Sequence, residues 1–147
     1  MKRFQFRLET LLQHRRNIEE KERTKFSSIR AELLMAWRHR EALQEKQAET
    51  LADLILKKSG ECDSQEILWF YRFLDRLTVE LEQSASRIAQ LEKDLETQKQ
   101  IMIEASRNKK MIENLRIRRM KEFASMLERE EQKTVDEIVV TRFTSGS

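Results

Sequence analysis

Apolar side chains return along this chain at alternating steps of three and four residues through two long tracts, with Gly60 standing between them and no proline anywhere. In the first tract the stripe runs Phe4, Leu8, Leu11, Ile18, Phe26, Ile29, Leu33, Ala36, Leu43, Leu51 and Leu54. Arg15, Glu22, Arg40 and Gln47 fill intervening positions of the same stripe. In the second, Ile67, Leu74, Leu81, Ile88, Leu95, Met102, Lys109, Arg116 and Phe123 form one series. Its companion is Phe70, Leu77, Ser84, Leu91, Gln98, Ala105, Ile112, Arg119 and Met126. This period belongs to helices packed lengthwise, and the absence of breakers lets each tract run as one helix.

The pattern predicts an all-α chain whose fold is a long antiparallel two-helix coiled coil, a helical hairpin. The expected layout is a single hairpin over 1–147, with a helix at 2–58, a turn at 59–63, a longer helix at 64–140 and a flexible tail at 141–147. Lys57 and Lys58 followed by Ser59 and Gly60 suit a helix C-terminus. Asp63 with Glu66 three residues later suits an N-terminal capping box. The step from Glu22 to Phe26 departs from strict alternation and predicts a local relaxation of the supercoil. At about 1.5 Å per residue the helices would measure about 85 and 115 Å, so the second would overhang the first. A parallel dimer buries a similar seam and is the alternative arrangement.

Composition narrows the picture. With 37% charged and 39% hydrophobic residues, the apolar supply covers one seam and little more, which predicts a protein that acts through its surface. No apolar run approaches the ~18 residues of a membrane span, and the N-terminus does not read as a signal peptide, so the expectation is a cytoplasmic chain. Cys62 is the single cysteine, which precludes an internal disulfide. It reads as an incidental residue of the turn rather than a reactive thiol. His14 and His39 are too far apart to share a helical turn, and neither has a cysteine partner at metal-ligand spacing. Glutamate pairs such as Glu19 with Glu22 have no cleft to separate their proton affinities, and no glycine-rich phosphate loop is present. No enzyme activity, metal or cofactor is expected.

Charge is unevenly placed. Folding about the turn sets residue i near residue 122 minus i and brings two basic segments together. One holds Lys2, Arg3, Arg7, Arg15 and Arg16 against Glu9 alone. The other holds Arg107, Lys109, Lys110, Arg116, Arg118, Arg119 and Lys121 against Glu113 alone. Such an end suits an acidic protein cavity. Nucleic acid is not expected, because glutamates interrupt the positive field and no nucleic-acid-binding motif accompanies it. Beyond it lies an acidic overhang with Glu122, Glu128, Glu130, Glu131, Asp136 and Glu137. At the turn end the run Ile67–Tyr71 exceeds what one seam buries, which leaves Trp69 pointing outward as part of a binding patch, while Trp37 reads as a seam flank.

Two terminal segments carry a family resemblance. The opening FQFRLETLLQHR, from Phe4 to Arg15, resembles the start of the flagellar export protein FliJ family. The stretch from Arg107 to Arg142, RNKKMIENLRIRRMKEFASMLEREEQKTVDEIVVTR, is similar to that family's distal basic region and its glutamate-rich continuation. The resemblance implies a two-helix stalk like that of a rotary ATPase, which engages the flagellar export ATPase ring, the membrane export gate protein and the late-substrate export chaperones. Carried onto this chain, it implies ring contact by Arg7, Arg15, Lys110, Arg116 and Arg119. It implies gate contact by Phe73 and Leu77, to which the exposed-aromatic argument adds Trp69. Glu80 and Ser84 continue that face but differ from the alanine and histidine of such relatives. The implied location is the cytoplasm, peripherally at the cytoplasmic face of the inner membrane. An injectisome stalk and a structural cytoplasmic coiled-coil adaptor without an ATPase partner are the alternatives.

Overall fold

In the computed structural model, which describes residues 2–61 and 63–146, the chain forms two antiparallel helices, the expected hairpin. Helix α1 spans Glu9–Lys58 and helix α2 spans Ser64–Ser145. The reading of Cys62 lies outside the described residues.

The helix ends differ from the sequence expectation. Residues 2–8 are not helical, and α1 begins where the Glu9 amide donates to the Phe6 carbonyl at 3.1 Å and the Leu12 amide to Leu8 at 2.9 Å. The segment gives up helical hydrogen bonds and instead lays the Phe4 ring against Phe123, with centroids 5.7 Å apart. At the other end α2 continues through residues expected to form a tail. Gly146 is the first breaker there, and the Gly146 amide donates to the Arg142 carbonyl at 3.1 Å. Asp63 caps α2 by accepting from the Gln65 amide at 3.3 Å, while the Glu66 carboxylate lies 3.6 Å from Lys57. Gly60 follows α1 without the left-handed conformation that favours glycine.

The described chain comprises two compact units, Met1–Glu20 with Ile103–Ser147, and Lys21–Met102. In the second, Leu33, Ile88 and Leu91 form a buried cluster against which Ile29, Ala36 and Leu95 pack. Leu43, Leu54 and Leu77 are also buried, as expected of seam residues. Leu51 is not: it is exposed, and Thr50 is buried in its place. The Thr50 hydroxyl donates to the Lys46 carbonyl at 2.7 Å, which satisfies the polar group that the register buries.

In the first unit Leu12 is the most buried residue at 0% exposure, while Leu11 is a half-buried flank. Glu19 is buried and Ile18 is the flank beside it. Counted from Leu12 through Arg15, Glu19, Glu22 and Phe26, the steps alternate strictly, so the expected irregularity at Phe26 disappears. Register is kept at the cost of burying a glutamate.

Candidate functional site

The basic end lies within the Met1–Glu20 and Ile103–Ser147 unit. Here the cations do not simply accumulate, because carboxylates interleave with them. The Arg116 Nε donates to Glu9 at 3.0 Å, and the same guanidinium lies 5.9 Å from the Phe4 ring centroid, within cation–π reach. Lys109 meets Glu19 at 2.8 Å, Arg16 meets Glu113 at 3.7 Å and Lys2 meets Glu130 at 3.2 Å. Arg119 donates to Glu122 on its own helix at 3.3 Å.

The residues expected to contact an ATPase ring therefore divide. Arg116 and Arg119 are engaged internally, whereas Arg7, Arg15 and Lys110 form no ion pair among the described residues. Arg7 and Lys110 are exposed and Arg15 is half-buried. An open apolar groove lies beside Arg7, floored by Phe4, Leu8, Leu115 and Phe123 and rimmed by Arg3, Arg7, Arg119 and Glu122. The combination suits a ligand surface that is acidic and carries an apolar anchor. Exposed pairs such as Arg119 with Glu122 contribute only about 0–1 kcal/mol, so they are readily exchanged for intermolecular ones.

The aromatic patch lies within the Lys21–Met102 unit. Trp69 is 59% exposed and stacks on Phe73, one turn on, with centroids 5.3 Å apart and planes 3° from parallel. Phe70 meets the Trp69 ring edge-on at 5.2 Å. The Lys58 ammonium donates to the Tyr71 hydroxyl and lies 4.9 Å from its ring centroid. Of the residues expected in a gate contact, Trp69 and half-buried Phe73 share this surface. Leu77 does not, since at 2% exposure it belongs to the core, so a contact through its side chain would require the seam to open.

Two polar elements of the interior lay outside the sequence reading of function. One is the Glu19–Lys109 pair. The other is Gln98, which donates to the Glu22 carboxylate at 2.5 Å and to the Glu22 carbonyl at 3.1 Å. The Gln98 amide holds the Glu22 carboxyl below its ordinary pKa against the opposing effect of desolvation, with Lys25 and Lys21 assisting. Both elements link α1 to α2 across the seam. Among the described residues no group of three His, Cys, Asp or Glu side chains is placed to hold a metal ion, and no helix is long and apolar enough to cross a membrane.

Comparison with known proteins adds one finding: the family model described as Flagellar FliJ protein matches residues 4–146. Neither the curated proteins nor the solved structures returned a match.

Proposed function

This chain belongs to the flagellar FliJ family, and we propose that it is the central stalk of the flagellar type III export apparatus, joining an export ATPase ring to the export gate. Family membership gives it a non-catalytic stalk and coupling role in flagellar export. The finer reading assigns the basic end to the ring, through Arg7, Arg15 and Lys110 in the first instance and through Arg116 and Arg119 once their internal pairs exchange. Trp69 and Phe73 form the gate-facing surface, and Leu77 supports it from beneath. Late-substrate export chaperones are the third class of partner. The protein works in the cytoplasm, held at the inner membrane by these contacts.

The observation that carries this reading is the family match across residues 4–146, which takes in both segments of the basic end. It also favours the flagellar stalk over the injectisome stalk and the free-standing adaptor. The mechanism is coupling: nucleotide-dependent contacts at one end of paired helices bias contacts made elsewhere on them, with no bond made or broken by the chain itself.

The test is charge reversal at cations that hold nothing together internally. Arg7→Glu with Lys110→Glu should lower association with a purified flagellar export ATPase, and its stimulation, by about ten-fold at low salt. Arg87→Glu is the control, since Arg87 is exposed in the other unit and meets Glu32 at 3.3 Å. It should change both by less than about two-fold. Equal binding and stimulation by a fully helical Arg7, Lys110 reversal variant would reject the ring-facing role.

A further inference from the structure

A second helical seam runs along α2 in the Met1–Glu20 and Ile103–Ser147 unit. Ile117, Lys121, Ala124, Glu128, Glu131 and Val135 follow one another at alternating steps of four and three, the next step reaches Ile138, and every one of them is exposed. The seam that meets α1 is a different one, through half-buried Lys109, Ile112, Arg116 and Phe123. Ile117 follows Arg116 by one residue, which turns it about 100° around the helix. Ile117, Val135 and Ile138 leave 50%, 52% and 49% of their surface in water. From Glu128 onward every described residue of α2 is exposed, so this face has no mate among the described residues. β-Branched Ile117, Val135 and Ile138 at the two ends of a three-four repeat, with Lys121, Glu128 and Glu131 between them, have the form of a helix-pairing surface.

The order of residues identifies what covers it. Laid antiparallel on itself about an axis between Ala124 and Glu128, the seam sets Ile117 against Val135, Lys121 against Glu131 and Ala124 against Glu128. Ile117 then meets Val135 and Lys121 meets Glu131 in both halves, with the small Ala124 beside Glu128 at the axis and Ile138 reaching Asn114 at the rim. Laid parallel, it sets Lys121 on Lys121, Glu128 on Glu128 and Glu131 on Glu131, which like-charge repulsion opposes. Self-complementarity under reversal is the property of a two-fold interface. We infer that this face is an antiparallel interface between two copies of the chain. It leaves the groove beside Phe4 open, because that groove is on the α1-facing side of α2. About three heptads from each copy make a small interface, so the dimer is weak, with Kd of roughly 10–100 µM.

Sedimentation equilibrium of the full chain from about 5 to 500 µM tests this directly, since that span brackets the expected Kd. The parent should pass from monomer to dimer within it. Lys121→Glu and Glu131→Lys each place like charges together twice in the dimer and should raise Kd at least about five-fold. The two combined in one chain should return Kd to within about two-fold of the parent, because each reversed charge again meets its opposite. Val135→Asp should abolish the dimer. All of these positions are exposed, so monomer helicity by circular dichroism should match the parent's. A parent that remains monomeric throughout would overturn the inference. So would a double variant no tighter than the single ones, which would place any dimer on another face. Neither readout involves an ATPase, so its outcome is separate from that of the stalk reading.

Discussion

Replacing Lys109 with methionine should destabilise the Met1–Glu20 and Ile103–Ser147 unit far more than its position on a charged helix suggests. Its ammonium lies 2.8 Å from a Glu19 carboxylate oxygen, in a pair whose side chains are 20% and 7% exposed. Taking away one partner of a fully buried pair leaves an uncompensated charge and costs about 3–5 kcal/mol. Lys109 keeps a fifth of its side chain in water, so solvent can reach the stranded carboxylate, and the expected loss is nearer 2–3 kcal/mol. With a urea slope of about 1.5 kcal/mol/M, the midpoint should fall by about 1–2 M. Glu19→Leu combined with Lys109→Met removes both charges and continues the apolar seam, which should restore or exceed parental stability. The chain's two tryptophans, Trp37 and Trp69, both lie in the Lys21–Met102 unit. The loss should therefore emerge as an early phase in far-ultraviolet circular dichroism that tryptophan fluorescence follows weakly. A Lys109→Met midpoint within about 0.5 kcal/mol of the parent would refute the reasoning, as would a double variant no more stable than the single.

Two further outcomes follow from the same kind of reading. Glu22 has a folded pKa below its unfolded value, so its hydrogen bond from Gln98 stabilises the fold above the unfolded pKa and ceases to do so as pH falls through the folded one. The stability gap between the parent and Gln98→Ala should thus narrow from pH 7 toward about pH 3, leaving only the share due to the Glu22 carbonyl; a gap independent of pH would show that the carboxylate is not involved. Leu77→Ala should cost about 2–4 kcal/mol and Trp69→Ala less than about 1 kcal/mol in thermal unfolding, while gate-protein binding should fail for folded Trp69→Ala. Parental gate binding by Trp69→Ala would remove the aromatic patch from the proposed contact.

The hairpin was legible because the second tract carries one dominant apolar face, which the structure pairs with α1 from Ile67 to Arg116. Beyond that the reading fails at Arg119 and Met126, both exposed. The reason lies in the other member of the pair: residues 2–8 leave the helix, and this non-helical segment lays Phe4 against Phe123 without covering the companion series. The first tract was harder. At Leu11 or Leu12, Ile18 or Glu19, and Leu51 or Thr50, apolar preference had to choose between neighbours. In two of those cases the more polar neighbour took the buried position, leaving Ile18 half-buried and Leu51 exposed. Glu19 goes in because Lys109 stands opposite, and Thr50 because its hydroxyl has a carbonyl one turn back. The first of these facts depends on the register of two helices together and cannot be read from either alone.

The basic end shows what charge counting omits. Summed along the sequence, the two segments repel; paired in space, Glu9, Glu19, Glu113 and Glu130 each take a cation from across the hairpin. These carboxylates reduce the field available to a partner. The cations then separate into two kinds. Lys109 is committed to a buried glutamate, and Arg116 to both Glu9 and the Phe4 ring, so reversing either would disturb the fold before any binding were measured. Arg7 and Lys110 carry no such commitment. A binding role is therefore best examined at the residues with the least structural work to do, and a loss of binding on reversing Arg116 alone would not distinguish a ring contact from a displaced Phe4.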